Sequence, residues 1–430
     1  MTRIPSIAPP ALSMAAIQPY VLNYELVTPM YGGGVKAHTV DEAMPIRASA
    51  IRGQLRFWWR LLAEHQWRLG DTDAIRKAEF ALWGGMGDKD PLASKVLLKV
   101  GAVQKLSVQP WAFYEINPNN NRYRGLPKPN NWANVPYVLF PAQGKAPDSS
   151  EAQAPHALAQ AGLTWQLSLA FDYSVKNPAS AEQQEQVWQA LRWWSCFGGV
   201  GARTRRGLGA VQLLKSSAGV PATLLKPITA DEAKTAGCQL VHKQPVNDAY
   251  AAWKIAVEKL QAFRQTGELA RKQRKPTPAR SYWPEPDAIR RLTRTHLQSN
   301  EKTHAPEHLA GNIFPRAAFG LPIIFKFKDD NARGARQNDP AQLSLNPRFG
   351  KDIGDRMASP IILRPVRVGE KWAAGALLLP HAHVNKLNLA LGTGDLKPAY
   401  YDAKQAPHIP AIAQNGGGTP LQAFMTYFAK

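Results

Sequence analysis

The apolar period switches repeatedly between strand and helix spacing along the first half of the chain, and the order of those switches narrows the fold more than any single motif. Val21 to Val27 alternates, with Val21, Asn23 and Glu25 on one face and Leu22, Tyr24 and Leu26 on the other, the period of a strand. After Gly32-Gly33-Gly34, an apolar stripe of Ile51, Leu55, Trp58 and Leu62 predicts a helix over about 49–67. Val96 to Val108 reads as a strand. Trp165 to Tyr173 reads as another, with Leu167, Leu169 and Phe171 facing one way. A second helix over 182–196 carries Val187, Trp188, Leu191 and Trp194, and Gly209 to Leu214 closes the block as a strand. Strand, helix, two strands, helix, strand is the order of an α+β ferredoxin-like unit, an antiparallel sheet with helices on one face.

The second half is less regular. Ser216 to Cys238 has linker character, and a helical stretch runs from Asp248 to Phe263. Ile323 to Lys328, Ile361 to Val368 and Trp372 to Leu379 read as strands. Two stretches read as exposed: the Asn- and Pro-rich Asn117 to Pro136, with Arg122, Arg124 and Lys128, and the basic run Arg271 to Arg294.

Charge bounds the partners. Fifty-three Lys and Arg face 32 Asp and Glu, a net charge of +21 over 430 residues. Such an excess repels itself unless an anionic partner absorbs it, and nucleic acid comes first. A membrane surface comes second, but no run approaches the roughly 20 apolar residues of a spanning helix. Pro5, Pro9 and Pro10 interrupt the apolar start where a signal peptide would be continuous, so none is expected. The two cysteines, Cys196 and Cys238, lie in no CxxC pattern; neither a disulfide framework nor a structural zinc is expected, and a reducing cytoplasm is the default.

Two segments concentrate this charge. Pro45 to Arg60 holds Arg47, Arg52, Arg56 and Arg60 and no acidic residue. Ser49 is read as the N-cap of the helix. Arg52, Arg56 and Arg60 then fall on one edge beside the apolar stripe, a guanidinium row next to a helix start that suits successive phosphates. Gly53, without a side chain, leaves room for close approach. In the second segment, Gly198 to Gly209, glycines at 198, 199, 201, 207 and 209 bracket Arg203, Thr204, Arg205 and Arg206, and no acidic residue occurs between Glu185 and Asp231. Glycine permits positive φ and close approach to a ligand backbone, and arginine supplies bidentate phosphate contacts. No Gly-Lys-Ser/Thr closes the loop as in a P-loop, and it follows a helix rather than opening one, unlike a dinucleotide fingerprint. In a ferredoxin-like unit the loop after the first strand and the loop before the last can approach one another. Each segment also has a plainer reading, as a solvated helix face and as a structural turn.

These segments, with Thr28-Pro29-Met30-Tyr31-Gly32-Gly33-Gly34, Asn312-Ile313-Phe314-Pro315-Arg316-Ala317-Ala318-Phe319-Gly320-Leu321-Pro322 and Ser359-Pro360-Ile361-Ile362-Leu363-Arg364-Pro365, resemble the RAMP superfamily, and within it the first subunit of the Cmr, or type III-B, CRISPR effector. The resemblance spans about residues 20 to 380. It implies two ferredoxin-like domains, 1–220 and 221–430, the second with a basic insertion. It further implies that guide-RNA phosphates lie on Arg47, Ser49, Arg52, Gly53, Arg56, Gly199, Gly201, Arg203, Thr204, Arg205, Arg206 and Gly207. The implied role is a cytoplasmic, non-cutting cap near the 3′ end of the guide, without cofactor or metal. Its implied partners are guide RNA, target single-stranded RNA and other RAMP subunits, with a neighbouring subunit cutting the target.

A rival reading is an endoribonuclease drawing on His38, Asp41 and Glu42, which fall between the first strand and first helix. A basic RNA chaperone is a third. His381 and His383, at i and i+2, read as surface residues. Trp58, Trp59, Trp193 and Trp194 sit on helices beside the basic segments and read mostly as core, with base stacking the minority alternative.

Overall fold

The computed structural model describes residues 18–430 apart from 87–89, 131–135, 174, 176, 272–279, 296–304, 328–339, 341, 394–395 and 397. Parts of the expected loop 117–136 and of the basic run 271–294 therefore lie outside the described residues. Strand β1 (Tyr20–Leu26) leads to helix α1 (Ala48–His65), helix α2 (Thr72–Trp83) and strand β2 (Val96–Gln104). Strand β3 (Thr164–Phe171), helix α3 (Ala181–Phe197) and strand β4 (Val211–Ser216) complete the first domain. Its sheet has the order β4-β1-β3-β2, and every pairing is antiparallel. This is the ferredoxin-like arrangement the periodicity predicts.

The core follows from the alternation. Leu22, Tyr24 and Leu26 of β1 and Leu167, Leu169 and Phe171 of β3 are buried together with Trp58 of α1 and Trp194 of α3. All four tryptophans beside the basic segments, Trp58, Trp59, Trp193 and Trp194, are core side chains at most 3% exposed. The base-stacking alternative for them is set aside by this burial. The predicted strand 96–108 breaks at Lys105, whose φ of 59° is left-handed, and Val108–Pro110 pairs instead with Ala157–Ala159. Helix α2 has no counterpart among the predicted elements.

The second domain starts with strand β5 (Gln239–His242) and helix α4 (Ala249–Gln261), then helix α5 (Glu285–Thr293). Strands β6 (Ile323–Phe325), β7 (Leu343–Phe349) and β8 (Asp352–Ile353) follow, then β9 (Ile361–Val368), β10 (Lys371–Leu378), β11 (Asn388–Leu391) and helix α6 (Pro420–Ala429). One antiparallel sheet has the order β5-β10-β9, which repeats the β1-β3-β2 part of the first domain. Among the described residues no strand flanks β5 in the place that β4 takes beside β1. The inserted strands form a second sheet, β6-β7-β8 with β11 on β7.

Two expectations change. The linker stretch 216–238 is not a solvated tether: Leu224 on a 3-10 turn (Ala222–Leu225), Ala233 on a short helix (Ala230–Thr235), and Ile228 and Cys238 beside them are buried in the first-domain core. The basic run is not wholly exposed, since α5 buries Ala288 and Ile289 and Glu285, fully buried, pairs with Arg316 at 3.1 Å. Among the described residues no helix is long and apolar enough to cross a membrane.

Candidate nucleic-acid interface

Helix α1 begins one residue before Ser49. Arg47 takes the N-cap position with extended φ and ψ of −114° and 128°, and no side chain caps the first turn. Ser49 is therefore exposed within the first turn rather than its cap, and the leading N–H groups of α1 lack a side-chain acceptor. Arg47 is held by Asp41 at 2.6 Å, a partly exposed carboxyl whose pKa is lowered chiefly by that hydrogen bond.

The arginine row on α1 is real but divided in use. Arg56 and Arg60 both reach Glu79 of α2, at 2.6 and 2.5 Å, and Glu79 is nearly buried. A carboxylate 23 residues downstream of Arg56 thus neutralises part of a row that looks acid-free locally. Arg52 differs. It is half-buried, its pKa is lowered by desolvation and then by Arg56, and its guanidinium has no ion pair or hydrogen bond among the described residues. Gly53 beside it is exposed and faces open space, with no atom within 4 Å of where a Cβ would stand.

The Gly-rich loop is joined to both neighbours of the sheet. Ala202 N donates to Tyr31 O at 2.7 Å and Gly209 N to Pro29 O at 2.8 Å, so the turn after β1 and the loop before β4 do meet. Buried Thr28 donates to Gly207 O at 2.6 Å and accepts from Ala210 N at 2.8 Å. Gln54 of α1 clamps the same loop, donating to Gly199 O at 2.6 Å and accepting from Trp194 Nε1 at 3.1 Å. The two basic segments are thereby fixed against each other.

The glycines serve protein packing. A Cβ on Gly201, at φ 78°, would stand 2.7 Å from Tyr31 O. One on Gly207, at φ 80°, would stand 2.6 Å from Trp253 Nε1 and 2.8 Å from Leu363 O, and one on Gly199 would stand 2.6 Å from Gly209 O. The close approach that glycine permits here is to the chain's own backbone and to Trp253, which donates to Arg206 O at 2.7 Å.

The loop arginines divide as well. Arg206 donates to Phe319 O at 2.8 Å and Ile361 O at 3.2 Å, and burial pushes its pKa down to about 9. Arg205 donates to Ser359 O and lies over the ring of Phe57 at 5.5 Å. Their donors face carbonyls of the second domain, so these side chains form the seam between domains. Arg203 is exposed in a left-handed conformation, φ 58° and ψ 28°, and its guanidinium has no ion pair or hydrogen bond among the described residues. Thr204 beside it is half-buried.

Arg364, to which the sequence reading assigns no role of its own, completes the seam. Only 3% exposed, it donates to Gly198 O at 2.7 Å and Val211 O at 2.8 Å, and burial pushes its pKa down to about 10. The available signal is a lone arginine inside the apolar run Ile361-Ile362-Leu363-Arg364-Pro365, which needs buried acceptors.

His38, Asp41 and Glu42 do not converge. His38 Nδ1 lies 2.5 Å from Tyr31 Oη, and its ring centroid is 5.5 Å from that of His156, while Asp41 is tied to Arg47 and accepts from Met44 N at 3.1 Å. Glu42 is exposed. Burial pushes the Tyr31 hydroxyl up to about 12. Among the described residues no three His, Cys, Asp or Glu side chains group as metal ligands.

Residues 23–212, from β1 to β4, match the family model of the RAMP superfamily. The amino-terminal domain is a RAMP domain. The match stops short of the second domain, so the likeness of 312–322 and 359–365 to RAMP sequences stands on those residues alone. Cmr1 from Pyrococcus furiosus, in its apo form, is 14% identical, with 84% of this chain and 87% of that chain covered and a TM-score of 0.39. A chain of the type III-B Cmr-beta complex bound to cognate target RNA is 11% identical, with 95% and 100% covered and a TM-score of 0.46. Cmr6 from Pyrococcus furiosus is 12% identical, with 47% and 100% covered and a TM-score of 0.23. No curated protein matches the chain.

Proposed function

We propose that this chain is a guide-RNA-binding subunit of a type III-B CRISPR effector, seated near the 3′ end of the guide and without cutting chemistry of its own. One observation carries the reading. In a RAMP domain of a chain with net charge +21, Arg52 and Arg203 keep uncommitted guanidiniums on two segments that Gln54 clamps together. On α1, beside Arg52, are the uncapped helix start and the open backbone at Gly53, groups suited to phosphate oxygens. In this proposal Arg52, Arg203, Ser49, Gly53 and Thr204 meet the strand. Arg47 and Arg56, ion-paired but partly exposed, add to the local potential. Arg205, Arg206, Gly199, Gly201 and Gly207 shape the loop that presents Arg203.

Target RNA and other RAMP subunits are the remaining proposed partners, with the cytoplasm as the compartment. Purifying the native assembly and sequencing its RNA tests this: one class of guide RNA is expected, and a heterogeneous RNA pool contradicts it. A guide carrying a photoreactive 3′ nucleotide is expected to cross-link to this chain in preference to its neighbours.

The cutting alternative rests on the Tyr31, His38 and His156 cluster, where rings that can exchange protons lie side by side. Asp41, weakened as a base by Arg47, contributes little to it. Incubated with labelled single-stranded RNA, with and without magnesium, the purified chain is expected to leave it intact. Cleavage abolished by His38→Ala or Asp41→Ala would establish the alternative.

A further inference from the structure

Between the first domain and the second lies an open cleft of about 750 Å³, within the size range of small-ligand sites. One wall is α1 and α2, with Phe57 and Phe80 half-buried; the other is Met357, Pro360 and Leu379 of the second domain. Arginines stand against both rings: Arg56 and Arg76 over Phe80 at 5.8 and 5.7 Å, and Arg205 over Phe57 at 5.5 Å. With Arg60, four arginines line a largely apolar cavity against two glutamates, Glu64 and Glu79. Flat apolar walls with guanidinium planes suit a heteroaromatic ring that carries negative charge beside it.

We infer that this cleft receives one nucleotide of the bound RNA strand, its base between the wall of Phe57, Phe80 and their stacked guanidiniums and the facing Pro360 and Leu379, and its phosphate toward Arg60. The inference rests on the RNA-binding reading above. What ties the cleft to the strand is α1 itself: Arg52, Arg56 and Arg60 stand one turn apart, about 6 Å along the axis per step. The edge that starts at the proposed phosphate site therefore runs into the cleft, where Arg56 and Arg60 form part of the lining. A strand held at Arg52 has its neighbouring nucleotide within reach of the rings. A free nucleotide would use the same chemistry, so the test separates the two sources.

The experiment uses single-stranded RNA with 2-aminopurine placed at successive positions, titrated with the full chain and with Phe57→Leu/Phe80→Leu, whose melting temperature is checked in parallel. One position is expected to change fluorescence on binding. The double variant is expected to abolish that change and to weaken RNA binding roughly tenfold, the scale of a lost base–aromatic stack. Adenosine monophosphate is expected to compete with that RNA. If no position responds and the variant binds RNA normally while Arg52→Ala still weakens binding, the cleft is excluded and the phosphate reading survives. Monophosphate that binds without displacing RNA would make this a free-nucleotide site and overturn the inference. A chain that binds no RNA overturns both.

Discussion

The start of α1 and the Gly-rich loop look alike as sequence and differ as structure. Each is rich in arginine and free of acid over its own length. At the start of α1 and along it the arginines stay at the surface, and carboxylates outside the segment tether three of them: Asp41, six residues before, holds Arg47, and Glu79 of α2 holds Arg56 and Arg60. In the loop two of three arginines turn inward, and main-chain carbonyls of the other domain accept their hydrogen bonds. A guanidinium carries five donors and does not need a carboxylate to be satisfied, so an acid-free neighbourhood marks either a ligand site or a buried seam. What separates the two is whether the donors already have acceptors. By that criterion Arg52 and Arg203 are the residues proposed for the ligand face, while Arg205, Arg206 and Arg364 hold the seam.

The largest effect expected from this division is at Gly207. Gly207→Val places a β-branched side chain at φ 80° and against the Trp253 ring, adding backbone strain to overpacking, a loss of about 3 kcal/mol or more. Chemical denaturation measures it; a loss below about 1 kcal/mol would mean that the loop is not packed as described. Next comes Arg206→Met, which leaves the carbonyls of Phe319 and Ile361 without their charged donor, at a cost of about 2 kcal/mol. RNA affinity per folded molecule is expected to hold. A variant of full stability that lost RNA binding would move Arg206 back to the ligand face. The smallest effect is at Ser49. Because it does not cap α1, Ser49→Ala is expected to change stability by less than about 0.5 kcal/mol, where loss of a true cap costs about 1.

The first domain is largely legible because its periods are clean. Leu22, Tyr24 and Leu26, or Leu167, Leu169 and Phe171, announce which face is buried, and the order of the elements then leaves few topologies. Helix α2 escapes a reading by period because the charged Glu79 sits inside its buried stripe of Ile75, Leu82 and Trp83. The second domain is harder, since inserted strands part the βα start of its sheet from the β9–β10 hairpin. For the site, residue type and spacing locate both segments and their meeting. They do not tell which arginines are spent, because the acceptors are backbone carbonyls more than 110 residues away for Arg206 and Arg205. Main-chain carbonyls leave no mark in a sequence.

The central claim is that guide phosphates are met by the guanidiniums the fold leaves uncommitted. Salt dependence of guide-RNA binding by the Arg52→Ala/Arg203→Ala protein tests it most directly, with stability measured on the same sample. If each arginine neutralises one single-strand phosphate, the log–log slope becomes shallower by about 1.4, affinity falls, and stability stays within about 0.5 kcal/mol. An unchanged slope and affinity in a folded double variant would contradict the account and place the RNA elsewhere on the molecule.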